Sequence, residues 1–266
     1  MRKFKDEYEY LVHLVRCAVQ ETSPLEIPDG LSFDKVFKLG KEHEVANIAF
    51  VSVEKLQNKP QNDLYLMWKT IYGLAIQRHV NQMCAKQQIV DALNNAAIRH
   101  VETQGTIMKT LYPHPEWRMM SDIDFIIDSE NLGSAESVLQ KLGYKTENPR
   151  GIEVDAYNDN NVAIELHSMF FNPESACYKT LGNAFDFSTQ IGDTYSYSLT
   201  HTMFYLYNLL HCVKHFVQRG AGIRRITDMY IMRKQLSDKV DFDYINTVVQ
   251  NSGYKSAVDE IFAVVD

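Results

Sequence analysis

Residues 117–128 read WRMMSDIDFIID, an apolar run whose start is interrupted by two aspartates, Asp122 and Asp124. A run of this length that is rich in β-branched and aromatic residues predicts a buried strand. Because side chains alternate across a strand, the two aspartates share one face. Ile123 and Phe125 then point the other way, into a core.

Two neighbouring carboxylates attract a cation. When both are ionised they repel one another, and removing each from water costs roughly several kcal/mol unless another group compensates. A divalent cation is the simplest compensation. A second interpretation fits the same spacing, in which both aspartates lie at a solvent-exposed end of the strand.

Two further segments extend the pattern. A predicted strand near residues 98–103 leads into Gly105-Thr106, which opens a short helix. Residues 162–167 read VAIELH and predict another strand, with Glu165 and His167 on one face and apolar side chains on the other.

The order of these segments resembles a known enzyme family. The chain carries, in order, Gln104-Gly105, Leu111-Tyr112-Pro113, Arg118, Asp122-Ile123-Asp124 and Glu165-Leu166-His167. This set resembles the nucleotidyltransferase superfamily that includes DNA polymerase beta, and within it a subgroup of uncharacterised bacterial nucleotidyltransferases. A helical region containing residues 211–216 and 222–228 follows the motifs, so the resemblance extends over most of the chain.

The resemblance implies both a fold and a reaction. The fold is α+β, with a polymerase-beta-like core of a small mixed sheet and helices, flanked by helical regions at both ends. The reaction moves a nucleoside monophosphate from a nucleoside triphosphate to a hydroxyl of an unidentified small molecule or protein. The cofactor is Mg²⁺ or Mn²⁺, and the metal-binding and catalytic residues are Asp122, Asp124 and Glu165, brought together from neighbouring strands.

The triphosphate needs hydrogen-bond donors and positive charge. Backbone N–H groups at a helix N-terminus suit phosphate oxygens, and cationic side chains neutralise the remaining charge. We expect nucleotide binding by Gly105, Thr106, Arg118, Ser121, Lys214 and Arg224, with Arg225 as the alternative to its neighbour. Other polar side chains predicted to line the cleft are His167, His211, His215 and Asp228. Arg118 has a second interpretation, an ion pair with Asp128 or Glu116.

Two positions depart from the family pattern. Thr106 stands where the superfamily usually has serine, and Gln104 stands where the subgroup usually has lysine. The second change removes a positive charge near the expected phosphate site. It leaves open another function, a nucleotide- or partner-binding protein on the same fold without turnover. A third interpretation is a non-enzymatic helical interaction protein in which the carboxylates are incidental.

Composition narrows the class of partner. The chain has 266 residues, 45% of them hydrophobic, and a formal net charge of −7. The acidic balance disfavours a nucleic acid partner, since nucleic-acid-binding domains carry a basic surface. The four cysteines are scattered without a CxxC pair, which is typical of a reducing compartment. With no signal-peptide pattern and no apolar run of about 20 residues, we expect a cytoplasmic protein that does not interact with membranes.

The distribution of apolar residues predicts three regions. Helical spacing dominates residues 1–95, strands and helices alternate in the nucleotidyltransferase core at 96–190, and helices return in 191–266. Within the core, a turn composition at 158–160 predicts a hairpin of two strands. In the last region, residues 199–219 predict a helix with a polar stripe that includes His211 and His215.

Overall fold

A computed structural model gives the fold of residues 4–147, 151–171, 177 and 181–265, with the side chain of Arg219 left out. The chain forms two compact units. The first unit comprises Met1–Val80, Tyr112–Met119 and Gly222–Arg224, and the second comprises Asn81–Leu111, Met120–Ala221 and Arg225–Asp266. The predicted division into regions 1–95, 96–190 and 191–266 remains a prediction.

The first unit is built from helices. They are α1 (Glu7–Val19), α2 (Phe33–Glu42), α3 (Ala46–Val53) and the first part of α4 (Asp63–Asn95), with a short 3₁₀ turn at Pro115–Trp117. The side chain of Asp6 caps α1 by accepting a hydrogen bond from the backbone N–H of Glu9 (2.8 Å). Such a cap satisfies one of the backbone donors that the first helical turn leaves without a partner.

An aromatic cluster forms part of the core of the first unit. Trp68 on α4 is fully buried. Its ring lies 5.6 Å from that of Phe33 and 5.1 Å from that of Phe37, both on α2. Burying side chains of this size stabilises a fold by roughly 1.5–3 kcal/mol each, so these rings contribute to the packing of α2 against α4.

The second unit contains a mixed sheet. Its strands are β1 (His100–Glu102), β2 (Asp122–Ile127), β3 (Lys145–Glu147), β4 (Glu153–Tyr157), β5 (Ala163–His167), β6 (Ser188–Gln190) and β7 (Ser196–Leu199). Their order across the sheet is β3-β4-β5-β2-β1-β7-β6. β2 pairs with β5 in parallel and with β1 in antiparallel orientation. The predicted α+β class with a mixed sheet is confirmed, and so is the adjacency of the Glu165 strand to the Asp-x-Asp strand.

One face of the sheet is covered by apolar residues. Ile123, Phe125 and Ile127 of β2 are fully buried, as are Ile164 and Leu166 of β5. They pack with side chains from the second part of α4 and from α6 (Leu132–Lys141), including Ile89, Leu93, Leu132, Ala135 and Leu139. The predicted alternation along both strands is therefore observed, and it leaves their polar residues on the opposite face.

Helices complete the second unit. The helix α5 (Gln104–Leu111) follows β1, and α7 (His201–Arg219), α8 (Gly222–Leu236), α9 (Phe242–Ser252) and α10 (Lys255–Val265) follow the sheet, with the first turn of α8 assigned to the first unit. Thr200 caps α7, its hydroxyl oxygen accepting from the N–H of Met203. Among the described residues, no helix has both the length and the apolar character needed to cross a membrane.

The hairpin predicted around residues 158–160 is confirmed, since β4 and β5 pair antiparallel. The sequence did not predict β3, β6 or β7, which have three or four residues each and carry few buried side chains. Within the described part of the chain none of the four cysteines forms a disulfide, as predicted.

Candidate active site

The acidic residues project from two neighbouring strands. β2 and β5 run parallel, and their register places Asp124 directly opposite Glu165. Because alternate residues share a sheet face, Asp122, Asp124, Glu165 and His167 all lie on the face opposite the apolar core.

Three of these side chains form one cluster. Nε2 of His167 lies 3.3 Å from Oδ1 of Asp124 and 3.3 Å from Oε2 of Glu165. One donor atom from each residue falls within 4.8 Å of the others. Asp124 is only 6% exposed, whereas the side chain of Glu165 is 37% exposed. The cluster therefore has a buried side at Asp124 and an open side at Glu165.

The two carboxylates hold a positive charge on His167. Burial by itself lowers the pKa of this imidazole, but hydrogen bonds to Asp124 and Glu165 and the charges of both carboxylates outweigh it, raising the pKa to about 10. An imidazolium therefore occupies the space between the carboxylates when no other cation is there.

The pKa of Glu165 is also raised, but by a different balance of effects. Its hydrogen bond to His167 lowers the pKa, yet burial and the negative charges of Asp122 and Asp124 outweigh that effect and raise the pKa above its ordinary value. Asp122 and Asp124 therefore disfavour the ionised form of Glu165 even with His167 beside it.

Asp122 lies outside the 4.8 Å cluster. It is half-buried at the start of β2, and one of its oxygens accepts a hydrogen bond from the hydroxyl of Ser121 (2.9 Å). Its charge still acts on Glu165. Of the three carboxylates predicted to bind metal, the structure brings Asp124 and Glu165 together with His167, and it leaves Asp122 at the edge.

The turn before α5 contacts the backbone of Asp124. The N–H of Thr103 donates to the carbonyl of Asp124 (3.2 Å), and the hydroxyl of Thr106 donates back to the carbonyl of Thr103 (3.3 Å). Gly105 and Thr106 are buried in the first turn of α5. The Thr106 hydroxyl is therefore used within the turn, and phosphate binding at Gly105 and Thr106 remains a prediction.

Gln104 contacts a residue that the sequence did not single out. Its Nε2 donates to the hydroxyl of Tyr207 on α7 (2.7 Å). Tyr207 is buried, and its pKa is raised first by burial and then by the negative charge of Asp124. The position that carries lysine in the family pattern therefore lies in the same neighbourhood as the acidic cluster.

The remaining residues of the second unit with predicted cleft or nucleotide roles lie on α7 and α8. Nε2 of His211 and Nε2 of His215 are 3.4 Å apart, one turn from each other on α7. Lys214 between them is half-buried, and Asp228 on α8 is buried. Their predicted contacts with substrate remain predictions.

Arg118 and Arg224 belong to the first unit. Arg118 is 7% exposed. Nη1 of Arg224 lies 2.8 Å from a carboxylate oxygen of Glu44 and donates to the carbonyl of Met119 at 3.2 Å. Asp128, one of the alternative partners considered for Arg118, holds Arg99 through two hydrogen bonds of 2.7 and 2.9 Å. Nucleotide binding by the two arginines remains a prediction.

Comparison with known families decides the class of the protein. The family described as uncharacterised nucleotidyltransferase matches residues 29–266. The chain belongs to that family. The predicted family and enzyme class, a nucleotidyltransferase, are thereby confirmed, and the match includes every residue discussed above as part of the site.

Solved structures similar to this nucleotidyltransferase are distant in sequence. The solution structure of the antibiotic-resistance factor ANT(2'')-Ia has a TM-score of 0.49 and 10% identity, covering 68% of this chain and 96% of that one. The crystal structure of ANT(2'')-Ia with adenylyl-2''-tobramycin has a TM-score of 0.48 and 10% identity, covering 66% and 99%. The Megavirus polyadenylate synthase has a TM-score of 0.40 and 11% identity, covering 80% and 39%. No curated protein matches the chain.

The donor set of this nucleotidyltransferase suits a divalent cation. Two carboxylates and one imidazole offer oxygen and nitrogen donors within 4.8 Å of one another. Divalent ions in proteins are commonly held by such donors, and magnesium needs only one or two carboxylates because it keeps several waters. The residues present therefore fit the cofactor that the resemblance implied.

Two buried polar residues of this nucleotidyltransferase, Tyr207 and Lys109, were not predicted from the sequence. The spacing of Tyr207, four residues before His211, places both on the same face of α7. Because its neighbours in the sequence are mostly apolar, Tyr207 was not distinguished from a core residue. Lys109 on α5 is 2% exposed, and no spacing in the sequence indicates that a lysine in a short helix would be buried.

Proposed function

We propose that this protein moves a nucleoside monophosphate from a nucleoside triphosphate to a hydroxyl of a small molecule or a protein, and that the reaction depends on Mg²⁺ or Mn²⁺. The observation that carries the proposal is the convergence of Asp124, Glu165 and His167 within 4.8 Å on two parallel strands of a nucleotidyltransferase. The net charge of −7 argues against nucleic acid as the acceptor.

The proposed catalytic residues are Asp122, Asp124 and Glu165. The carboxylates of the cluster would hold a divalent ion, which when bound would neutralise phosphate charge and stabilise the attacking and leaving oxygens. Asp124 is buried and fixed between Thr103 and His167, which suits a group that must hold its geometry. Asp122 is half-buried at the edge of the cluster, where it supplies a further carboxylate.

Glu165 is the group best suited to accept the proton of the acceptor hydroxyl. Its side chain is partly exposed, so the hydroxyl of an acceptor can approach it. In the proposed step the acceptor oxygen forms a bond to the α-phosphorus, and the bond between that phosphorus and the bridging oxygen breaks. Pyrophosphate leaves with the bonding electron pair, and the hydroxyl proton passes to Glu165.

The triphosphate is proposed to lie at the N-terminus of α5. The first backbone N–H groups of a helix have no acceptor within the helix, and they carry a partial positive charge. Gly105 and Thr106 supply them here. Ser121 and Lys214 of the same unit are proposed as side chains that contact the phosphates.

A second candidate function rests on Gln104. Its amide donates to Tyr207 in the neighbourhood of Asp124, where the family pattern has a cation. A site with one less positive charge can bind a nucleotide and metal without turning over. The two functions differ in one measurable product, because only the transferase releases pyrophosphate.

The test is transfer of label from nucleoside triphosphates labelled at the α-phosphate. The protein is incubated with each of the four triphosphates, Mg²⁺ or Mn²⁺, and a panel of sugars and aminoglycosides, and labelled product and pyrophosphate are measured together. We expect stoichiometric transfer and pyrophosphate release with at least one combination, and at least a hundredfold loss, on the order typical of transition-state electrostatic groups, in Asp124→Asn. Triphosphate binding without pyrophosphate release would favour the second candidate.

Asp155→Asn is the matched control. Asp155 lies on the same sheet face and pairs with Glu165 across β4 and β5, but it is exposed and lies outside the three-residue cluster. Its replacement removes the same charge and should leave transfer within about twofold of the unmodified protein.

A further inference from the structure

We propose that His167 is itself a ligand of the metal ion and that it makes the site prefer Mn²⁺ to Mg²⁺. This inference rests on the proposed function, because it concerns the cation of the same site. It goes further by adding a nitrogen donor to a metal set that the sequence pattern gives as carboxylates alone.

The distances around Nε2 carry the inference. This nitrogen lies 3.3 Å from an oxygen of Asp124 and 3.3 Å from an oxygen of Glu165. On an octahedral ion with bonds of about 2.1 Å, neighbouring ligand atoms lie roughly 3 Å apart. The two distances from Nε2 are therefore close to the spacing of neighbouring ligands, and all three donor atoms lie within 4.8 Å of one another.

The strand geometry fixes His167 in that position. His167 is two residues from Glu165 on β5, so alternation puts both side chains on the same face. Its backbone neighbour on β2 is Ile126, and the ring extends from there back to Asp124. In the part of the chain that the structure describes, this is the one group of three or more such donors within ligand spacing.

Asp122 is arranged differently. One of its oxygens accepts a hydrogen bond from Ser121, and the residue lies outside the group of closely spaced donors. The inferred ligands are therefore Asp124, Glu165 and His167, and Asp122 contributes its charge from the edge of the cluster.

The nature of the donor sets the preference for metal. Magnesium strongly prefers oxygen ligands, whereas imidazole nitrogen suits first-row transition ions. A site with two carboxylates and one imidazole still binds Mg²⁺, but the nitrogen ligand raises the affinity for Mn²⁺ more than the affinity for Mg²⁺. A set of three carboxylates would lack this preference for Mn²⁺.

The test is pulsed electron paramagnetic resonance of Mn²⁺ bound to the full chain in the presence of ATP. A coordinated histidine gives a nitrogen coupling to the Mn²⁺ electron spin, and growing the protein with ¹⁵N-labelled histidine changes the pattern of that coupling. We expect one histidine coupling in the unmodified protein and its loss in His167→Gln. We also expect the affinity for Mn²⁺ to fall on the order of tenfold or more in this variant, with a smaller change for Mg²⁺.

His201→Gln is the matched control, because His201 is an exposed histidine at the start of α7. It should keep both the coupling and the affinity. Bound Mn²⁺ without any histidine coupling, or with a coupling that persists in His167→Gln, would overturn the role of His167 and leave the proposed function standing. Absence of Mn²⁺ binding with ATP present would overturn both. The labelled unmodified protein gives a decision even if His167→Gln does not fold.

Discussion

At the scale of single residues, the site is a balance of charges around one imidazole. Asp124 is buried, and its backbone carbonyl accepts a hydrogen bond from the N–H of Thr103. The side chain of Glu165 is partly exposed. The same nitrogen of His167 contacts both carboxylates at 3.3 Å.

The variant Glu165→Gln tests that balance. It keeps the shape and removes a charge that Asp122 and Asp124 repel. We expect the melting temperature of the metal-free protein to stay the same or rise by a few degrees. Stabilisation by Mn²⁺ with ATP, and any turnover, should fall together.

Thermal unfolding with and without Mn²⁺ and ATP measures both effects, with Asp155→Asn as the control for loss of a charge on the same face. Full metal-dependent stabilisation in Glu165→Gln would remove this residue from the metal site. A large destabilisation of the metal-free variant would mean that the contact with His167 outweighs the repulsion between the carboxylates.

Gln104 offers a second test at the residue scale. If this position lies beside the phosphates, Gln104→Lys restores a positive charge there, and triphosphate binding should tighten by several-fold at low salt and by less at high salt. Asn246→Lys adds the same charge at an exposed position of α9 and serves as the control. The measurement is triphosphate affinity across a salt series. Equal affinities for Gln104→Lys and the unmodified protein at every salt concentration would show that position 104 does not face the phosphates.

At the scale of elements, β1 lies between β2 and β7 in the sheet and pairs with both. His100 on β1 is opposite Ser196 on β7, and its Nε2 lies 2.9 Å from the Ser196 hydroxyl. Nδ1 contacts the carbonyl of Ile98 at 3.0 Å. Burial lowers the pKa of this histidine, against smaller opposing effects of the Ile98 carbonyl and the charge of Glu102.

This lowered pKa predicts a loss of stability in acid. Because the folded protein holds His100 neutral while the unfolded chain takes up a proton near pH 6.5, the contribution is present above about pH 6.5 and is lost as the pH falls below it. His100→Asn should show a weaker fall in the free energy of unfolding between about pH 8 and about pH 5.

Denaturant unfolding at a series of pH values measures this difference, with the exposed His114 replaced by asparagine as the control. His114→Asn should keep the pH dependence of the unmodified protein. Parallel pH profiles for His100→Asn and the unmodified protein would contradict the prediction.

The elements also show what the sequence determines. The long apolar runs of β2 and β5 and the helical periodicity of α4 were predictable, because their side-chain pattern depends on local geometry alone. The strands β3, β6 and β7 were not, since runs of three or four largely polar residues become strands only through pairing with neighbours. The pairing of Tyr207 with Gln104 was equally beyond the sequence, because those residues are 103 positions apart.

For the site, alternation placed Glu165 and His167 on a common face, and the resemblance placed their strand beside β2. The sequence could not rank Asp122 against His167 as the closer neighbour of Asp124. That ranking depends on how far each side chain reaches across the sheet, and His167 is long enough to extend from its position opposite Ile126 to Asp124.

At the scale of the whole molecule, we propose that the acidic cluster of this nucleotidyltransferase binds a divalent ion together with a nucleoside triphosphate. Binding of a ligand to the folded state alone stabilises a protein by an amount set by its concentration relative to the dissociation constant. The claim can therefore be tested without knowing the acceptor.

The most direct test is thermal unfolding with each of the four triphosphates, with and without Mg²⁺ or Mn²⁺, in the unmodified protein and in Asp124→Asn. We predict that at least one triphosphate raises the melting temperature only when metal is present. At about 100 times the dissociation constant the gain is roughly 2.7 kcal/mol, and it should disappear in Asp124→Asn. No rise with any triphosphate at millimolar concentration, or an equal rise in Asp124→Asn, would contradict the claim.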